Sequence, residues 1–249
     1  MLPHLFRMKH RSQIRSYLLG PLRVDWLVDV ELLLLTFSTG IQDAISFPDF
    51  HCFASNQTGN TVVLAVGLAG LGGDLFELTN VGVSLAMFVL GSTLTGQIAN
   101  VVGPRCRAWL LLTHLVQTTM AFGAAAIQAV YGVKASGSSV LGAIALLAFS
   151  SGAQVASMRP MRRSEITTAM ATAAWVDLVI DPKLFALRNL SRDRRALFLA
   201  VLVGGSFAGA YGHVGIGSAN TLIVCAAGKT LVTLLLLANR EEPPQERCE

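Results

Sequence analysis

Hydrophobic positions along this chain come in long unbroken runs. Six are clearest: residues 30–48, 81–102, 108–130, 139–158, 196–214 and 217–238. Each is close to the ~20 residues that carry a helix across ~30 Å of hydrocarbon. Each is also apolar on all sides, whereas an amphipathic helix of a soluble protein is apolar on one stripe. The pattern predicts an all-α, polytopic membrane protein. Two further runs, 58–72 and 166–180, hold 15 residues each, short of the ~17–25 of a spanning helix. They are expected as re-entrant or half-helices beside six spans; full crossing by one or both would raise the count to seven or eight.

Composition agrees with this pattern. Of 249 residues, 53% are apolar and 14% charged, against ~25% charged in a soluble domain, so polar surface is too scarce to clothe a globule in water. Residues 1–28 form a basic segment with Arg7, Lys9, Arg11, Arg15 and Arg23, lacking the apolar core of a secretory signal. Arg7, Arg11 and Arg15 stand four apart, a spacing suited to anionic lipid headgroups. A mitochondrial presequence has similar composition, so the expected location is a plasma or organelle membrane, with the mitochondrial inner membrane as the alternative. Residues 239–249 are polar, contain Pro243-Pro244, and are expected to be a disordered tail.

The chain contains itself twice. "FSTGIQDA" at 37–44 returns as "FSSGAQVA" at 149–156, and "LAMFVLGS" at 85–92 returns as "LAVLVGGS" at 199–206, at offsets of 112 and 114. This divides the membrane part into a first repeat, 29–131, and a second, 139–238. With six spans each repeat crosses three times, and the second is inverted relative to the first. Lys and Arg collect in cytoplasmic loops. Six spans place every basic residue except Lys134 and Lys229 on one side, a cleaner division than eight spans allow.

Between the first anchors lies "SNQTGNT" at 55–61, polar between greasy flanks. Gly59 permits a sharp turn, while Ser55, Asn56 or Thr58 can cap the helix that follows and turn its amides toward a polar ligand group. Thr58-Gly59 falls at Thr172-Ala173 in the second repeat. "TGIQDAISF", "FASNQTGNTVVLA", "FSSGAQ" and "ITTAMAT" together resemble the YoaK-like family of integral membrane proteins, a domain of unknown function in bacteria and fungi. The resemblance spans residues 29 to about 238. Asp43-Ala44 and Thr58-Gly59-Asn60 match the family pattern; Thr172-Ala173 departs from its usual Thr-Gly. The resemblance implies a fold and no activity.

Ionisable groups inside a bilayer are functional candidates because insertion costs ~2.5–3.5 kcal/mol each. Lys229, Asp43, Asp177 and His114 stand out. Gln42 and Gln154 occupy equivalent repeat positions and are expected to face inward. Gln42, Asp43, Asn56, Thr58, Gly59, Asn60, Gln154, Thr172, Asp177 and Lys229 form the candidate solute site or pathway, expected to converge on one cavity, with Lys229 neutralised by Asp43 or Asp177. No H-E-x-x-H, G-x-S-x-G, P-loop or dinucleotide fingerprint is present, and the histidines lack metal-ligand spacing. An enzyme, a metal and a cofactor are therefore not expected, and loop position explains the basic charge without nucleic acid. The expected partners are the bilayer and a small solute. The chain reads as a transporter or channel, with a membrane scaffold or assembly factor as the alternative; its oligomeric state is left open.

Overall fold

Asp25 starts the first helix by accepting a hydrogen bond from the Leu27 amide at 2.9 Å. This helix, α1 (Trp26–Phe50), ends at His51, which takes the left-handed conformation at φ 54°. Then follow α2 (Gln57–Leu68), α3 (Leu78–Val102), α4 (Arg107–Tyr131), α5 (Ser138–Met158), α6 (Thr172–Val179), α7 (Leu190–Ile216) and α8 (Ser218–Leu235). The architecture is that of a computed structural model, which describes residues 16–71, 73 and 76–242. The Arg7, Arg11 and Arg15 face and the tail from Pro243 onward lie outside the described residues.

Six helices, α1, α3, α4, α5, α7 and α8, are long and apolar enough to cross a membrane. The chain is a multi-pass helical membrane protein. With 12 and 8 residues, α2 and α6 measure about 18 and 12 Å at ~1.5 Å per residue, too short for a fourth crossing in either half.

One end of the bundle gathers residues 16–25, 103–107, 159–195 and 236–242. Its backbone is stitched by the amides of Leu22 to Arg105 O (2.8 Å), Arg23 to Arg240 O (3.0 Å) and Glu242 to Pro21 O (3.0 Å). These bonds correct the boundary of the polar tail. Residues 239–242 belong to the folded body, because their backbone fills the hydrogen-bonding edge of residues 21–23 and the Asn239 amide donates to both Glu31 oxygens, at 2.8 and 3.0 Å. Glu31 is buried there. Every described Lys and Arg except Lys134 and Lys229 lies at this basic end.

The duplication governs how helices meet. Helix α1 packs on α7 and α8, and its counterpart α5 packs on α3 and α4; α2 lies on α3 as α6 lies on α7. In the most apolar windows of α1 and α5, 61% and 56% of residues are buried, against 22% in both α3 and α7. The leading helix of each repeat is thus central and the partner that crosses it faces lipid. Small residues make these crossings close. A Cβ on Gly40 would stand 2.6 Å from the Leu202 carbonyl oxygen. One on Gly152 would strike the Phe88 carbonyl oxygen, and Gly205 and Gly91 face Phe37 and Phe149 in the same way.

Candidate functional site

Where α1 meets α5, the repeat register sets two glutamines opposite two hydroxyls. Gln42 Nε2 donates to Ser151 Oγ at 2.7 Å, and Gln154 Nε2 donates to Thr39 Oγ1 at 3.0 Å. Each hydroxyl precedes the glutamine of its own helix by three residues and so shares its face. The two bonds are one interaction made twice, related by the 112-residue offset.

Helix α8 adds a cation to this crossing. Lys229 Nζ donates to Gln154 Oε1 at 2.6 Å and approaches Ser150 Oγ at 3.5 Å. Ser150 in turn donates to the Gln117 carbonyl of α4 at 3.3 Å, and His114, one turn earlier on α4, lies within electrostatic reach of Lys229. Gln42, His114, Gln117, Gln154 and Lys229 are each no more than 1% exposed. Several of their polar atoms make no hydrogen bond: Gln42 Oε1, both ring nitrogens of His114 and both amide atoms of Gln117, with Ser38 Oγ nearby on α1. Buried polar atoms normally find partners, and four helices here converge on a set with hydrogen-bonding capacity to spare. His114 was picked out along the chain as an ionisable group within a span. Gln117 was not, because one glutamine in an apolar run gives no sign of which way it faces.

The ten candidates do not share one cavity. Gln42, Gln154 and Lys229 meet; the others divide between the two ends. The expected ion pair is corrected as well: no carboxylate among the described residues lies within 4.0 Å of Lys229 Nζ. Asp43 follows Gln42 by one position, about 100° around the helix, and turns to the loop, where it accepts from the Ser55 amide at 2.8 Å and the Ser55 hydroxyl at 2.5 Å. Its charge reaches Lys229 only through space. Asp177 sits half-exposed on α6 at the basic end, 3.9 Å from Arg195 Nε. Thr172, the first residue of α6, is exposed.

The polar stretch after α1 is consumed by its own folding. Asn56 Oδ1 caps α2 by accepting from the Gly59 amide at 3.2 Å, and Asn60, wholly buried, exchanges hydrogen bonds with Phe53 N (2.9 Å) and O (2.7 Å). Asn60 also reaches Ser84 Oγ on α3 at 3.1 Å. Thr58 is exposed on the outer side of α2 and Gly59 half-buried. Beside this loop, burial and then the Asp43 charge push the Cys52 thiol up to about 12, leaving it protonated at neutral pH.

A second polar node closes the end opposite the basic one. Asp49 accepts from Gln128 Nε2 at 2.8 Å, meets His213 Nε2 at 2.6 Å, and takes the Ser218 hydroxyl. It joins α1, α4, α7 and α8. The sequence carries no clear mark of it, since Asp49 follows Pro48 at the end of an apolar run.

No curated protein and no solved structure matches the chain. Residues 32–235 match the family described as "protein of unknown function (DUF1275)", in agreement with the resemblance carried by Asp43-Ala44 and Thr58-Gly59-Asn60. A match over most of the length, on a six-span duplicated bundle, decides the family: the chain belongs to DUF1275.

Proposed function

We propose that this protein moves a small solute across the membrane as a transporter or channel, with the solute site at the interface of two inverted repeats. Three spans per repeat support the inversion, since an odd number of crossings reverses the second copy. The basic end is cytoplasmic by the rule that Lys and Arg stay inside. The observation that carries the reading is Lys229: a cation 1% exposed in the membrane core, with no carboxylate beside it and unfilled hydrogen-bonding atoms on Gln117, His114 and Gln42. Such a group favours a solute bearing an anionic group, whose charge would offset the ammonium while the amides and imidazole bind its polar atoms. The Asp49 and Asn60 nodes both lie at the end where α1 terminates, opposite the basic end.

Purified protein in liposomes, offered a panel of small radiolabelled anions and neutral polar solutes, tests this. Saturable uptake of an anion, lost in Lys229→Met and retained in Arg188→Gln, is expected. A protein that moves no solute and copurifies with a fixed partner would turn the reading to a scaffold.

A further inference from the structure

A cavity of about 240 Å³ opens at the basic end, away from the repeat interface. Arg159, Arg162 and Arg163 frame it with Ser164, over an apolar floor that includes Met158 and Ile166. The charges are not balanced locally. Arg163 Nε lies 2.8 Å from Asp29, but Arg194 holds the same carboxylate at 2.6 Å, so two guanidinium groups share one negative charge. Arg159 donates to the thioether of Met170 at 3.6 Å, a weak acceptor, and Arg162 makes no ion pair with any described carboxylate. The neighbouring acid, Glu165, accepts from Ser191 on α7 at 3.1 Å as well as from Ser164 at 3.4 Å.

The backbone is bent to make this arrangement. Arg162 holds φ 52° at the end of the 3₁₀ turn Arg159–Met161, and Thr168 holds φ 62°, left-handed conformations that strain a non-glycine residue. Thr168 is 1% exposed, with a hydroxyl that has no partner. Strain of this kind points to a site. The surface beside it is greasy: Trp175 and Ile180 are exposed, and Phe185 and Leu187 are 94% and 99% exposed. A helix and loop of this character at the end of the spans lie in the lipid interface, at the depth of headgroup phosphates.

We propose that the Arg159–Arg162–Arg163 cavity binds the phosphate of an anionic phospholipid from the leaflet at the basic end. Two guanidinium groups without carboxylate partners supply forked donors matched to phosphate oxygens, and the apolar floor takes the glycerol and the first acyl carbons. Free phosphate would satisfy the arginines and leave the floor unused. This inference is independent of solute transport.

The test uses the full-length protein in nanodiscs of phosphatidylcholine with phosphatidylglycerol as a minor component, followed by gentle extraction and native mass spectrometry of retained lipid. Phosphatidylglycerol is expected to stay bound in preference to phosphatidylcholine. Arg159→Gln with Arg162→Gln is expected to lower its retention about tenfold or more, and Met158→Trp, which fills the floor and leaves the arginines intact, to lower it too. Arg188→Gln, an exposed change outside the cavity, is expected to leave it unchanged. Equal retention of both lipids, or an equal loss in Arg188→Gln, overturns the proposal. Displacement by millimolar inorganic phosphate with no lipid preference assigns the cavity to soluble phosphate and overturns it as well.

Discussion

Lys229 shows how a single residue's neighbours change what its removal should do. Cutting one member from a buried ion pair strands the other charge, at ~3–5 kcal/mol. Lys229 instead donates to the neutral Gln154 amide, so Lys229→Met leaves one acceptor unpaired, a loss of about 1–3 kcal/mol. The protein should therefore fold without the lysine. In a double-mutant cycle with Asp43→Asn, read by thermal unfolding in detergent, the two losses are expected to add within about 0.5 kcal/mol. Strong compensation would instead reveal a direct Lys229–Asp43 pair. That an ionisable residue sat in a span was legible from the chain. Its partner was not, because a one-residue step rotates Asp43 away from Gln42 and only the loop at Ser55 reveals which way it turns.

Among elements, the two crossings, of α1 with α7 and of α5 with α3, make the sharpest demand on residue size. Gly40 and Gly152 are equivalent by the repeat, and each meets the partner backbone where a methyl group would go. Overpacking a tight site costs ~1–3 kcal/mol, so Gly152→Ala and Gly40→Ala are each expected to lower the unfolding temperature, by similar amounts. Gly96 and Gly204 have open space at the same point; there alanine is expected to be neutral or slightly stabilising, since glycine within a helix costs ~0.5–1 kcal/mol relative to alanine. Thermal unfolding of all four variants checks this, and equal losses at open and crowded positions would refute the packing account. The spans themselves could be read from apolar length. The glycines that matter could not, for 23 occur in the chain and, among the described ones, only those at the crossings meet a partner backbone.

For the whole molecule, six spans make a statement about sides. The loop between α4 and α5 carries Lys134 and lies opposite every other described loop cation. In spheroplasts or sealed vesicles, a Ser136→Cys variant is expected to react with an impermeant maleimide from outside and an Arg188→Cys variant only after permeabilisation. Labelling of both from one side would break the six-span topology. The same arrangement puts α2 and α6 at opposite ends, so the polar residues of Asn56–Asn60 and those of Thr172–Asp177 cannot meet in one cavity, although the repeat aligns them in sequence.

Length and apolarity determined that this is a membrane protein with at least six spanning runs, the division of charge between loops favoured six over eight, and the matching segments at offsets of 112 and 114 marked the duplication; these are properties of runs and offsets, which need no knowledge of what each residue touches. Tertiary structure decided which polar residues form the core. A glutamine, an asparagine and an aspartate look alike within an apolar run, yet rotation about the helix axis sends Gln42 to the repeat interface and Asp43 to a loop. The end of the bundle at which a short helix lies leaves Asn60 satisfied by the Phe53 backbone and Asp177 beside Arg195. Buried polar groups must find partners from distant parts of the chain, and those partners exist only once α1, α4, α5 and α8 have been brought together around Lys229.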